Sequence, residues 1–135
     1  MTNTSSSTRA RSQAPHERLK AWTACHELTF AVYRATMKWR RRDQDPLGDM
    51  IREAAMASSV RIAVGAVAGS PREFRACLNQ SIGALARLDA LLEVARDVDL
   101  LPAETYGELE ALRDHAARLT DGLHRAIGRK KLVAQ

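Results

Sequence analysis

Aromatic residues are scarce in this chain: Phe, Trp and Tyr together make up 4% of it. A β-sandwich or barrel leans on such side chains, and no stretch alternates apolar and polar residues as a half-buried strand would. Cysteine is equally thin. Two residues, Cys25 and Cys77, cannot build a disulfide framework, and both fall at apolar helical positions where a free thiol behaves as a small hydrophobe. No apolar run approaches the roughly 20 residues of a membrane span. The opening MTNTSSSTRARSQAP lacks the apolar centre of a secretory signal. A cytoplasmic protein with no membrane partner is the expectation. At 135 residues the chain suits one domain around a single core.

Charge is present but segregated. The formal net charge is +5, and five residues near the termini account for it: Arg9, Arg11, Arg129, Lys130 and Lys131. Between residues 16 and 127 there are 16 basic and 16 acidic side chains. Within that neutral body, residues 16–75 carry +4 and residues 76–127 carry −4. Opposed halves favour self-association as much as nucleic-acid binding.

The chain then reads as four helices. Residues 1–15 are rich in Ser, Thr and Arg without periodicity, and are expected to be a disordered tail. Pro15 permits a helix start. Ala21, Cys25, Leu28, Val32, Ala35 and Trp39 draw one apolar stripe to about Arg41, with Trp22, Thr29, Tyr33 and Thr36 beside it. Asp45 is the expected N-cap before Pro46, and Leu47, Ile51, Ala54 and Ser58 open a second helix ending near Gly69. Its later part, Glu53 to Gly69, is almost wholly small residues. A helix so small and apolar belongs where neighbours approach closely from more than one side, which also explains Gly65. Ser70-Pro71-Arg72-Glu73 is a capping signal for the third helix. Phe74, Leu78, Ser81, Leu85, Leu88, Leu92 and Ala95 follow as an unbroken heptad seam. Pro102-Ala103-Glu104 starts the fourth helix, with Thr105, Leu109, Leu112, Ala116, Leu119, Leu123 and Ala126/Ile127 as its seam and Gly128 as its stop. Short connections make this an all-α, antiparallel up-down-up-down four-helix bundle over residues 16–128, with a basic tail at 129–135.

Chemistry is hard to place on it. A carboxylate-bridged metal centre in such a bundle needs repeated Glu-x-x-His pairs, and only Asp121 with His124 resembles one. His16, His26, His115 and His124 never stand four apart. His26, beside Trp22 and Tyr33, is expected to be partly buried and hydrogen-bonded. No nucleophile motif or phosphate loop is recognisable. The reading is therefore no catalytic, cofactor-binding or metal-binding residues, no cofactor, and no enzyme. The one notable cluster is Lys38, Arg40, Arg41 and Arg42 around Trp39. Cations there suit a helix C-terminus, and they equally suit RNA phosphates.

Leu19-x-x-Trp22, Ala24, His26, Leu28, Val32-Tyr33 and Thr36 resemble the opening helix of the 23S rRNA intervening-sequence, or S23, family of four-helix bundles. The resemblance continues through Leu47-Gly48, Ile51-Arg52, Ala54-Ala55, Ile62-Ala63 and Gly65. It then takes in Ser70, Glu73-Phe74, Leu78, Gly83, Leu85 and Leu88, covering about residues 17–127. The family's polar signature is mostly replaced, by Ser59, Arg61, Val64 and Ala68 near Gly65, by Ala84 after Gly83, and by Arg87 and Asp89 around Leu88. The resemblance implies a small bacterial cytosolic bundle with no established enzymatic activity, some members being encoded in insertions within ribosomal RNA genes. A related bundle, the accessory protein of diversity-generating retroelements, is a ring-shaped pentamer that contacts RNA. By that analogy a homo-oligomer, a pentamer first, is expected. Its partner would be structured RNA or a ribonucleoprotein met by Lys38 and Arg40–Arg42, and its subunit interface would include Arg61 and Val64. The alternative is a protein-binding scaffold with no nucleic-acid role.

Overall fold

In the computed structural model, residues 4–41 and 45–134 are described, with side chains described for 17–39 and 45–129. The elements are α1 (Thr4–Thr36), a 3-10 segment (Met37–Arg41), α2 (Pro46–Ala66), α3 (Pro71–Asp97) and α4 (Ala103–Ala134). No strand occurs among the described residues. Each helix packs on the next, and α4 closes on α1, as in a bundle.

Cross-helix contacts fix the direction of each pair. Arg18 reaches Ala66 while Thr29 reaches Ala55 and Thr36 meets Arg52, so α1 and α2 run antiparallel. Gly65 abuts Phe74 and Cys77 while Ser58 pairs with Ser81. Arg96 lies over Tyr106 while Asp89 faces Arg113. Successive helices therefore alternate in direction.

Local signals explain the starts. The Asp45 carboxylate accepts from the Gly48 N–H at 3.0 Å and Pro46 occupies the first turn. The Ser70 hydroxyl accepts from the Glu73 N–H at 3.2 Å with Pro71 behind it. Each satisfies a donor that the helix itself leaves free. The turn after α3 places Asp99 at φ 64°, a left-handed position that Asp tolerates better than most residues.

The core is aliphatic. Leu28, Val32, Ile51, Ile62, Leu78, Leu85, Leu88 and Leu92 are fully or almost fully buried. The whole heptad seam of α3 is buried, as its spacing predicts. α4 differs in detail: Thr120 is fully buried, while its neighbour Leu119 is only half-buried. Several boundaries also differ: α2 stops at Ala66, short of Gly69, and α1 gives way to the 3-10 segment after Thr36. α4 continues through Gly128 to Ala134, and a Cβ at Gly128 would lie 3.2 Å from the Arg75 guanidinium, so that glycine admits a neighbour instead of ending the helix. α1 is helical from Thr4, so its backbone passes through Pro15, where one intrahelical hydrogen bond is forgone.

Candidate functional site

Four features of the bundle have the chemistry or shape to do something. The first lies at the end where α1 stops and α2 begins. Arg52 follows Ile51 on α2, and its side chain is 4% exposed. One guanidinium nitrogen donates to the Asp45 and Asp49 carboxylates at 2.9 and 2.8 Å. The other donates to the Thr36 hydroxyl at 2.8 Å and the Thr36 carbonyl at 3.3 Å. Burial opposes the charge, but the hydrogen bonds that Arg52 donates to Asp49 and Asp45 outweigh it and hold the guanidinium above its ordinary pKa. The cluster ties the end of α1 to the cap of α2. Its acceptors are occupied by Arg52, so it is a clasp and not an open site.

The second is a polar layer at mid-height. Cys25 of α1 lies 3.8 Å from the Thr120 hydroxyl of α4. Ser58 of α2 and Ser81 of α3 also face the thiol. The hydroxyl protons go elsewhere: Ser58 donates to the Ala55 carbonyl, Ser81 to that of Ser58 and Thr120 to that of Ala116. Burial pushes the Cys25 thiol up, against weaker lowering by those three hydroxyls, so it stays protonated and unreactive. Each helix contributes one small polar group, and every hydroxyl is satisfied.

The third is the outer face of the α1–α2 hairpin. Leu19, Phe30 and Met37 stand out from α1 and the 3-10 segment, each more than half exposed. Met56, Val60 and Val64 stand out from α2, and Val67, at its end, is 85% exposed. The Trp22 ring stacks on His26 (centroids 4.6 Å apart), which meets Phe30 edge-on at 4.9 Å. The ring contacts of His26 are thus Trp22 and Phe30, where the sequence placed Tyr33. Between the two helices Leu19, Trp22, Ile62, Ala63 and Ala66 line a shallow depression of about 410 Å³. By contrast α3 exposes large apolar side chains only near its end, at Val94, and in the following turn at Val98, and α4 exposes none among the described residues.

The fourth is a groove of about 450 Å³ between the last turns of α1 and the first turns of α4. Trp39, Leu101 and Leu109 form its floor, with Arg34 and Lys38 on one wall and Glu108 on the other.

The sequence-derived candidates divide between these places. Lys38 is exposed at the rim of the groove. The side chains of Arg40 and Arg41, and all of Arg42, lie outside the described residues. Arg61 and Val64 both face outward from α2. Asp121 and His124 do not form a ligand set: Asp121 pairs with Arg125, and no group of three or more His, Cys, Asp or Glu side chains among the described residues is arranged to hold a metal ion. No helix among the described residues is long and apolar enough to cross a membrane. Sequence reasoning missed the role of Arg52. A signal existed: Asp45, Asp49 and Arg52 stand at helical spacing on one face, and the first of them is the cap.

Fold and surfaces together define a small all-α bundle with a salt-bridged end, an apolar hairpin face and a polar-rimmed groove. Residues 17–122 match the family model described as 23S rRNA-intervening sequence protein, and the chain belongs to that family. Its fold is similar to a 1.70 Å crystal structure of a protein with unknown function from the S23 ribosomal protein family of Bacteroides thetaiotaomicron VPI-5482. The two share 12% identity at a TM-score of 0.75, over 81% of this chain and 98% of that one. No curated protein matches the chain.

Proposed function

We propose that this is a non-catalytic assembly protein whose copies pack together through the α1–α2 face, a pentamer being the number that family analogy favours. The assembly presents the basic end of α1 to structured RNA or a ribonucleoprotein. The observation that carries the reading is the concentration of exposed apolar side chains on one hairpin, from Leu19 and Phe30 across to Val60 and Val64. Apolar surface gathered on one face of a bundle marks a contact site. The basic first half and acidic second half of the folded body add complementary charge for a contact between unlike faces. The family's name links its members to 23S rRNA, which supports RNA as the partner of Lys38 and of Arg40–Arg42.

Light scattering on the eluting protein tests the assembly. A multiple of the 14.9 kDa chain mass is expected, reduced toward the monomer by Val60→Glu with Val64→Glu. A monomer at high concentration in the unmodified protein would end this reading. For RNA, affinity should fall steeply as salt rises and weaken when Lys38 and Arg40–Arg42 are changed to Ala. An oligomer whose RNA affinity ignores both salt and these changes would instead be a protein-binding scaffold.

A further inference from the structure

The groove between α1 and α4 has an asymmetry that the hairpin face lacks. Its floor is apolar and includes Trp39, which is 7% exposed. One wall carries two cations, Arg34 and Lys38, both exposed. The other carries Glu108. These charges do not cancel: neither cation forms an ion pair with Glu108, or with any other carboxylate among the described residues.

We propose that this groove accepts one unstacked guanylate of a single-stranded RNA segment. Arg34 and Lys38 would take its phosphate and Glu108 the edge of its base. This rests on the reading of the protein as an RNA partner, and goes beyond it by naming the nucleotide and the place. A space of this size suits a nucleotide-sized ligand. Single-stranded bases are read by splaying them onto apolar or aromatic surfaces. The carboxylate selects among bases. Guanine presents two parallel N–H donors on its pairing edge, which a carboxylate accepts together. Adenine presents one donor beside an acceptor, and uracil one donor between two acceptors, which face a carboxylate poorly.

Trp39 emission supplies the readout, in protein carrying Trp22→Phe so that one indole remains. Guanosine 5′-monophosphate should perturb it, with uridine 5′-monophosphate weaker by about tenfold, within the range of one bidentate base contact. A pentauridylate carrying one central guanylate should bind more tightly than pentauridylate by a similar factor. R34A and K38A, at exposed positions that leave the core intact, should weaken both probes. E108Q should move the preference from guanosine toward adenosine monophosphate, because an amide offers a donor beside its acceptor. If structured RNA binds in a salt-dependent way while these short probes do not discriminate, the groove assignment falls and the RNA reading stands. If the monophosphate binds and the guanylate-containing oligomer gains nothing, the occupant is a free nucleotide and the strand assignment falls. If neither structured RNA nor the probes bind, both readings fall together.

Discussion

Arg52 holds the last turn of α1 by donating to both the hydroxyl and the carbonyl of Thr36, 16 residues earlier in the chain. The same side chain pairs with Asp45, whose other oxygen caps α2. One buried cation thus joins two helix ends and the connection between them. Arg52→Ala removes four contacts at once. Asp49 is 73% exposed and regains water, and Asp45 keeps its Gly48 donor, so the cost is below that of a fully stranded buried charge. A loss of about 2–3 kcal/mol in urea unfolding is expected. Arg52→Lys retains the charge but not the fork, and should recover only part of it.

Gly65 and Gly83 make a matched pair. A Cβ at Gly65 would stand 2.7 Å from both the Cys77 Cβ and the Phe74 ring, so α3 must move. A Cβ at Gly83 meets nothing within 4 Å. Gly65→Ala should therefore lose about 1–2 kcal/mol, overpacking outweighing the gain in helix propensity. Gly83→Ala should gain roughly 0.5–1 kcal/mol. Equal effects at the two sites would refute the close approach of α2 to α3.

The bundle was legible because its signals are local. The caps at Asp45 and Ser70 and the seam of α3 depend on residues a few positions apart. Features that depend on another helix were not. Arg52 reads as a surface arginine until Thr36 and Asp45 are brought around it. Thr120 lost to Leu119 in the sequence pattern because leucine is the better core residue, yet the hydroxyl turns inward to meet Cys25. Gly128 reads as a helix stop because nothing local reveals Arg75 against it. The α1–α4 groove is built from helix ends that lie some 70 residues apart, a pairing that periodicity cannot supply.

The two thiols should differ sharply. Cys25 is fully buried with its pKa raised by burial, while Cys77 is half-buried. Native protein treated with a thiol reagent should label Cys77 first. Cys25 should react only as fast as the bundle opens, so its rate should track stability: faster in Arg52→Ala, slower in Gly83→Ala. Rapid labelling of Cys25 under native conditions would contradict the closed layer that it forms with Ser58, Ser81 and Thr120.

His124 gives the bundle a pH dependence with a defined sign. It lies on α4, and its Nε2 is buried without a hydrogen-bond partner. Burial first, and then the Arg75 guanidinium on α3, lowers its pKa below 6.5, with Asp121 opposing weakly. Between the folded and unfolded pKa values the unfolded chain binds more protons, so stability rises with pH across that interval. The contribution is complete above about pH 6.5 and is lost as pH falls through the lower, folded value. Urea midpoints for the unmodified protein should therefore drop between pH 7.5 and pH 5. His124→Gln, which cannot take up a proton, should show a shallower drop over the same interval. Arg75→Gln removes the guanidinium that disfavours the imidazolium, and should shift the drop toward lower stability loss. Parallel pH profiles for all three proteins would show that His124 titrates as it does in the unfolded chain, and would remove the physical basis of the effect.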